Sequence, residues 1–141
     1  MAAGGWWPTV DGKGPRQWPF ERKVIDLGLA LANGADLPQD PQMPELLRRM
    51  APQVGMTRAD ADAALASAAD TASLVREIHR RTREGTYRLG RAFGASDSLK
   101  ASGDRAGARK VLEDAMAAEV VPLYRAQLQA YLDYVDEPDD T

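Results

Sequence analysis

The chain has 141 residues, a formal net charge of −3, 44% hydrophobic residues and no cysteine, which is the size of one ordinary domain able to bury a core unaided. The missing cysteines exclude a disulfide framework, cysteine-ligated zinc and thiol catalysis, and the net acidity offers no general attraction to nucleic acid or an anionic membrane. Much of the apolar fraction is alanine and only two Phe are present, which favours closely packed helices; strand-like alternation of Val, Ile or Thr is absent.

Residues 1–17 are rich in Gly and Pro and are expected to be irregular. They hold Trp6 and Trp7, with Trp18 just beyond. At least one of the three is expected to anchor on the helical body, or else Trp6-Trp7-Pro8 forms a recognition segment, since Trp is the commonest hot-spot residue at interfaces. The start lacks the basic stretch and apolar middle of a secretory signal, and no apolar run approaches the ~20 residues needed to cross a bilayer. The expectation is a cytoplasmic protein without a membrane segment.

From Trp18 to Asp136 the pattern predicts a single all-α domain of about five helices. Pro19 suits a first turn, and Phe20, Val24, Leu27 and Leu31 predict a helix near 20–33, ended by Asn33-Gly34. Pro38 and Pro41 mark a loop over 35–42. A short helix is expected over about 44–52, with Leu46, Leu47 and Met50 inward. Thr57 and Asp60 form a capping box with Asp in place of Glu, opening a further helix through Ser67.

Two long helices, Asp70–Lys100 and Arg105–Tyr134, are predicted to follow, joined by Ala101-Ser102-Gly103-Asp104. Gly103 can close the first and Asp104 can cap the second, and so short a connection makes them an antiparallel hairpin packed against the shorter N-terminal helices. Val75, Ile78, Thr82, Gly85, Leu89, Ala92, Ser96 and Leu99 form one stripe; Ala108, Leu112, Ala115, Glu119, Pro122 and Leu123 form its partner, with Leu128, Tyr131 and Val135 farther along. Antiparallel register sets Ala92 near Ala115, Gly85 near Pro122 and Leu123, and Val75 near Leu132. It also sets Glu119 against Arg88, with Arg91 one turn away. Pro122 removes an amide donor, so a bend is expected near Glu119–Pro122. Residues 137–141 read as an acidic frayed tail. Exposed small-residue stripes would serve a dimer as well as an intramolecular core.

The stretches Leu74-Val75-Arg76-Glu77-Ile78, Arg80-Arg81, Arg83-Glu84-Gly85, Ala101-Ser102-Gly103-Asp104, Gly107-Ala108-Arg109 and Ala118-Glu119-Val120-Val121-Pro122-Leu123-Tyr124-Arg125 resemble the DUSAM domain, a family of uncharacterised bacterial proteins known from myxobacteria. The resemblance starts at Trp18 and leaves residues 1–17 outside. It implies a domain label and no activity, cofactor or site residue. Gly103-Asp104 with Ala108 is also similar to the turn of a tetratricopeptide-type helix pair, but no 34-residue period appears elsewhere.

His79 is the sole histidine, which removes nearly every Ser-His-Asp, paired-His metal or imidazole-base arrangement. Glu77, two residues away, points elsewhere on a helix, so His79 is expected to be an exposed surface residue among arginines. Asp60-Ala61-Asp62 lacks the Gly and distal Glu of a calcium loop, and no glycine-rich phosphate loop is present. No enzyme chemistry, metal or cofactor is expected.

One feature points toward function. Arg76, Arg80, Arg83 and Arg91, with His79 beside them, are expected on one side of a helix, and guanidinium groups bind carboxylates and phosphates through a planar fork. They either pair with Glu77, Glu84, Glu113 and Glu119 or dock a partner. The preferred reading is a non-enzymatic protein-interaction module, an adaptor or partner-neutralising protein, that takes an acidic protein partner through this face together with Trp6 and Trp7. The alternatives are a nucleic-acid-binding accessory protein using residues 76–91, against which stands an absence of aromatic residues among the arginines, and a small-molecule sensor with a pocket between the hairpin and the first three helices.

Overall fold

Capping chemistry sets the helix boundaries. In a computed structural model that describes residues 22–37 and 40–137, the described residues form six helices and no strand: α1 (Arg22–Ala32), α2 (Met43–Gln53), α3 (Arg58–Ala64), α4 (Ala68–Ala101), α5 (Arg105–Ala118) and α6 (Pro122–Asp136). The reciprocal box at α3 is present, with Thr57 accepting from the Asp60 amide and Asp60 accepting from the Thr57 amide, both at 2.9 Å. α4 starts earlier than the apolar pattern alone suggested, because Ser67 accepts from the Asp70 amide at 3.1 Å and so opens the helix at Ala68. At the α4–α5 turn Gly103 takes φ +88°, a conformation L side chains rarely adopt. There the Asp104 amide reaches back to the Leu99 carbonyl at 2.8 Å, while its carboxylate accepts from the Gly107 amide at 2.8 Å.

α4 is the common partner of the other helices. α1, α5 and α6 pack along it and α2 and α3 cover its N-terminal part. Ile78 and Leu89 from α4 meet Leu47, Met50, Leu112 and Leu128 in one core of fully buried side chains. Each contributes about 1.5–3 kcal/mol relative to exposure. The all-α plan and the antiparallel α4–α5 pair are as expected, with Ala92 and Ala115 on a shared cleft. Among the described residues no helix is long and apolar enough to cross a membrane.

The predicted helix Arg105–Tyr134 is two helices. Glu119 adopts an extended conformation (φ −80°, ψ 134°), and Pro122, with no amide to donate, becomes the first residue of α6 instead of an interior kink. The chain therefore reverses rather than bends. α6 runs antiparallel to α5, where Arg109 pairs with Asp136, and parallel to α4. Tyr124 reaches Thr86, Tyr131 stacks on Phe93 with ring centres 3.9 Å apart, and Lys100 lies over the Tyr134 ring at 3.5 Å. The expected pairing of Val75 with Leu132 is replaced by this parallel register.

The expected irregular segment 1–17, Trp6, Trp7 and Trp18, and tail residues 138–141 lie outside the described residues.

Candidate functional site

The arginines of α4 divide by what meets them. Arg88 donates to Oε1 of Glu119 at 2.8 Å, and that carboxylate is wholly buried. Its other oxygen accepts from the amides of Val120 and Val121, at 3.0 and 2.9 Å. Arg125 of α6 answers from the opposite direction, donating to the Met116 and Glu119 carbonyls at the end of α5. Glu119 and Arg125 thus satisfy the orphan backbone groups of the two helix ends that meet at the reversal. Arg81 is a second clamp, bonded to Glu77 at 2.7 Å and to the Val54 carbonyl of the α2–α3 turn at 2.9 Å. The pairing of Glu119 with Arg88 is as the register implied; the clamps onto backbone were missed, because the Val54 carbonyl lies 27 positions from Arg81 and the Met116 and Glu119 carbonyls become free for Arg125 only where α5 ends at the reversal.

Tyr124 closes this region. Its hydroxyl meets Thr86 Oγ1 at 2.8 Å, its ring lies against Gly85, and burial, reinforced by the Glu119 charge, pushes its pKa up to about 12. A Cβ at Gly85 would sit 2.4 Å from that ring, so the glycine, expected near Pro122 and Leu123, makes room for the aromatic side chain next to them.

The four arginines proposed for docking stand in different states. Arg80 is held by Glu77 and Glu84. Glu77, in turn, is kept below the usual carboxylate range first by its hydrogen bond to Arg80 and then by Arg81. Arg91 lies over the Tyr87 ring, 5.4 Å from its centre. Arg76 and Arg83 are exposed and have no ion-pair partner among the described residues. At 3.6 residues per turn, Arg76, Arg83, Tyr87 and Arg91 fall within a sector of about 80° opposite the buried stripe. Tyr87 is 67% exposed. An aromatic residue therefore does stand among the arginines, contrary to the expectation, and its position between Arg83 and Arg91 was readable from the sequence.

His79 is not the exposed residue expected. It is half-buried where α1 crosses α4, and a Cβ on Gly28 of α1 would come within 2.3 Å of it. Burial first, and the nearby Arg83 charge second, hold its pKa below the ordinary value. It belongs to the α1–α4 contact and lines a groove rather than the outer face.

Two concavities flank the Tyr87 ridge. An apolar groove of about 620 Å³ runs between α1 and α4, with Ile25, Leu29 and Thr86 in its walls and Arg83 at its edge. A cleft of about 500 Å³ lies between α4 and α5, bounded by Arg88, Arg91, Ala92 and Ala115. Tyr87 and Glu84 line both. Among the described residues no group of three or more His, Asp or Glu side chains is placed to hold a metal ion.

A family model described as "Protein of unknown function (DUF2379)" matches residues 22–135. No curated protein and no solved structure matches the chain.

Proposed function

The chain belongs to this family of unknown function, and we propose that it is a non-enzymatic, cytoplasmic protein-interaction module, an adaptor or a partner-neutralising protein, that docks an acidic protein through the outer face of α4. The DUSAM resemblance is compatible with the family description and adds no activity to it. The observation that carries the reading is that Arg76 and Arg83 stand exposed without an ion-pair partner among the described residues, on the same sector as the exposed Tyr87. Arg and Tyr are enriched at interface hot spots, and unneutralised guanidinium groups favour carboxylates. Trp6 and Trp7, outside the described residues, are proposed as further partner contacts on the strength of their residue type.

Reversing Arg76, Arg80 and Arg83 to Glu tests the reading. Partner capture is expected to be abolished with the thermal transition nearly unchanged, since exposed charges contribute ~0–1 kcal/mol each. Retained capture, or a collapse of the melting temperature, would refute it. The Arg91–Tyr87 stack favours one second reading, single-stranded nucleic acid binding, because bases stack on exposed aromatic rings. That reading requires a mobility shift at ~50 mM salt, with affinity falling at a slope of about −0.7 per phosphate neutralised.

A further inference from the structure

On the outer side of α4, Arg83, Tyr87, Gly90, Gly94 and Asp97 follow one another at spacings of four and three, which keeps them within a sector of about 80°. All five are exposed. The two ends of this run carry opposite charge. Arg83 has no ion-pair partner among the described residues, and neither has Asp97, which accepts a long 3.4 Å bond from the Tyr131 hydroxyl. Tyr87 stands 67% exposed between them, and Cβ atoms at Gly90 and Gly94 would meet nothing within 4 Å.

Such a run is complementary to itself when reversed. In an antiparallel pair with its two-fold axis beside Gly90, residues whose numbers total about 180 face each other. Arg83 then meets the partner's Asp97, and Asp97 meets the partner's Arg83, each about 10 Å along the helix from the axis. Tyr87 meets the partner's Gly94, where no side chain keeps the ring from lying on the helix backbone. A parallel pair would instead set each charge on its like.

The flanks obey the same axis. His79, Thr86 and Asp97 fall on one edge of the sector, so the α1–α4 groove and the cleft between α4 and α6 open on the same side of it. Leu29, 48% exposed, stands in the groove that His79 also lines; Tyr134, 50% exposed, stands in the cleft beside Lys100. His79 and Lys100 lie nearly equidistant from Gly90 in opposite directions. The axis that pairs Arg83 with the partner's Asp97 therefore also brings Leu29 to the partner's Tyr134.

We infer that the outer face of α4 is the contact between two copies of this chain, an antiparallel pair closed by two Arg83–Asp97 ion pairs, with Tyr87 on the partner's Gly94 and Leu29 against the partner's Tyr134. A stable pair buries at least about 1,000 Å² in total; one helix face supplies part of that area, and the Leu29 contacts, made twice, widen it. The inference goes beyond the acidic-partner reading. Both use Arg83, so a captured acidic partner displaces the second copy.

Sedimentation velocity on the full chain tests it with no other molecule present. At about 100 μM the sedimenting mass is expected to be twice the 15.3 kDa of one chain. Arg83→Asp and Asp97→Arg are each expected to weaken association by about tenfold or more, because each sets like charges against one another. The double variant restores both ion pairs with reversed polarity, and its association is expected to recover. Gly94→Leu, which removes the seat for the Tyr87 ring, is expected to leave a monomer. Circular dichroism on dilute samples should keep the helical signal in all four variants. A chain that stays monomeric up to about 1 mM would overturn the inference. So would a dimer indifferent to both single reversals, or a double variant no better than the singles. Failure of the acidic-partner reading is seen separately, as partner capture that survives the triple arginine reversal.

Discussion

The two sides of α4 treat the same residue types in opposite ways. On the inner side Arg88 neutralises a buried carboxylate and Gly85 clears space for the Tyr124 ring. On the outer side Arg76 and Arg83 meet no ion-pair partner among the described residues, and a Cβ at Gly90 or Gly94 would touch nothing within 4 Å. Arginine and glycine thus carry no fixed meaning along this helix; what faces them decides whether they build the fold or remain available to something outside it.

The sharpest way to break that contrast is to remove Arg88. Arg88→Ala leaves the Glu119 carboxylate buried against only two backbone amides, and a loss of about 3–5 kcal/mol is expected in denaturant unfolding. Glu119→Gln keeps a carbonyl acceptor and avoids the orphaned charge, so it should be tolerated better. A smaller loss for Arg88→Ala than for Glu119→Gln would show that water, not Arg88, holds the carboxylate.

The glycines give effects of opposite sign. Gly85→Ala forces a methyl group to 2.4 Å from the Tyr124 ring, and over-packing of this kind costs about 1–3 kcal/mol. Gly90→Ala meets no neighbour and should stabilise by up to about 1 kcal/mol through helix propensity. Destabilisation by both would mean that the outer side is not open.

The smallest expected effect is a pH dependence at the α1–α4 contact. The fold favours neutral His79, so its folded pKa lies below the unfolded value and the unfolded chain binds the proton more readily. Its contribution is fully present above about pH 6.5 and fades as pH falls through the folded value. His79→Gln should flatten thermal stability across that interval, and an unchanged slope would place His79 in free solvent.

How much of this was legible in the sequence differs from element to element. The Thr57–Asp60 box, the Gly103-Asp104 turn and the Arg88–Glu119 pair were readable because each follows from spacing within a helix or across one tight turn. The reversal at Glu119–Val121 was not. Pro122 signals a disturbed helix equally whether the chain kinks or restarts, and the choice rests on Arg125, Glu119 and Tyr124 finding partners that are only assembled in the folded molecule. His79 was misplaced for a related reason: its exposure is decided by Gly28, on a helix whose crossing point no local pattern reveals. Of the candidate face, the arginine spacing was visible, and so was the pairing of Arg80, since Glu77 and Glu84 stand three and four residues from it while no carboxylate stands one turn from Arg76 or Arg83.

The reversal also makes the C-terminal part of the fold a three-helix meander. α4 and α5, and α5 and α6, each join through a turn of a few residues, whereas the contact between Thr86 and Tyr124 spans 38 positions. Loop-closure entropy rises only with the logarithm of that span, and the two short turns bring α4 and α6 side by side. Glu119, Arg125 and Tyr124 gather at the second turn, so one short connection carries both the buried Glu119 charge and the contact that joins α4 to α6.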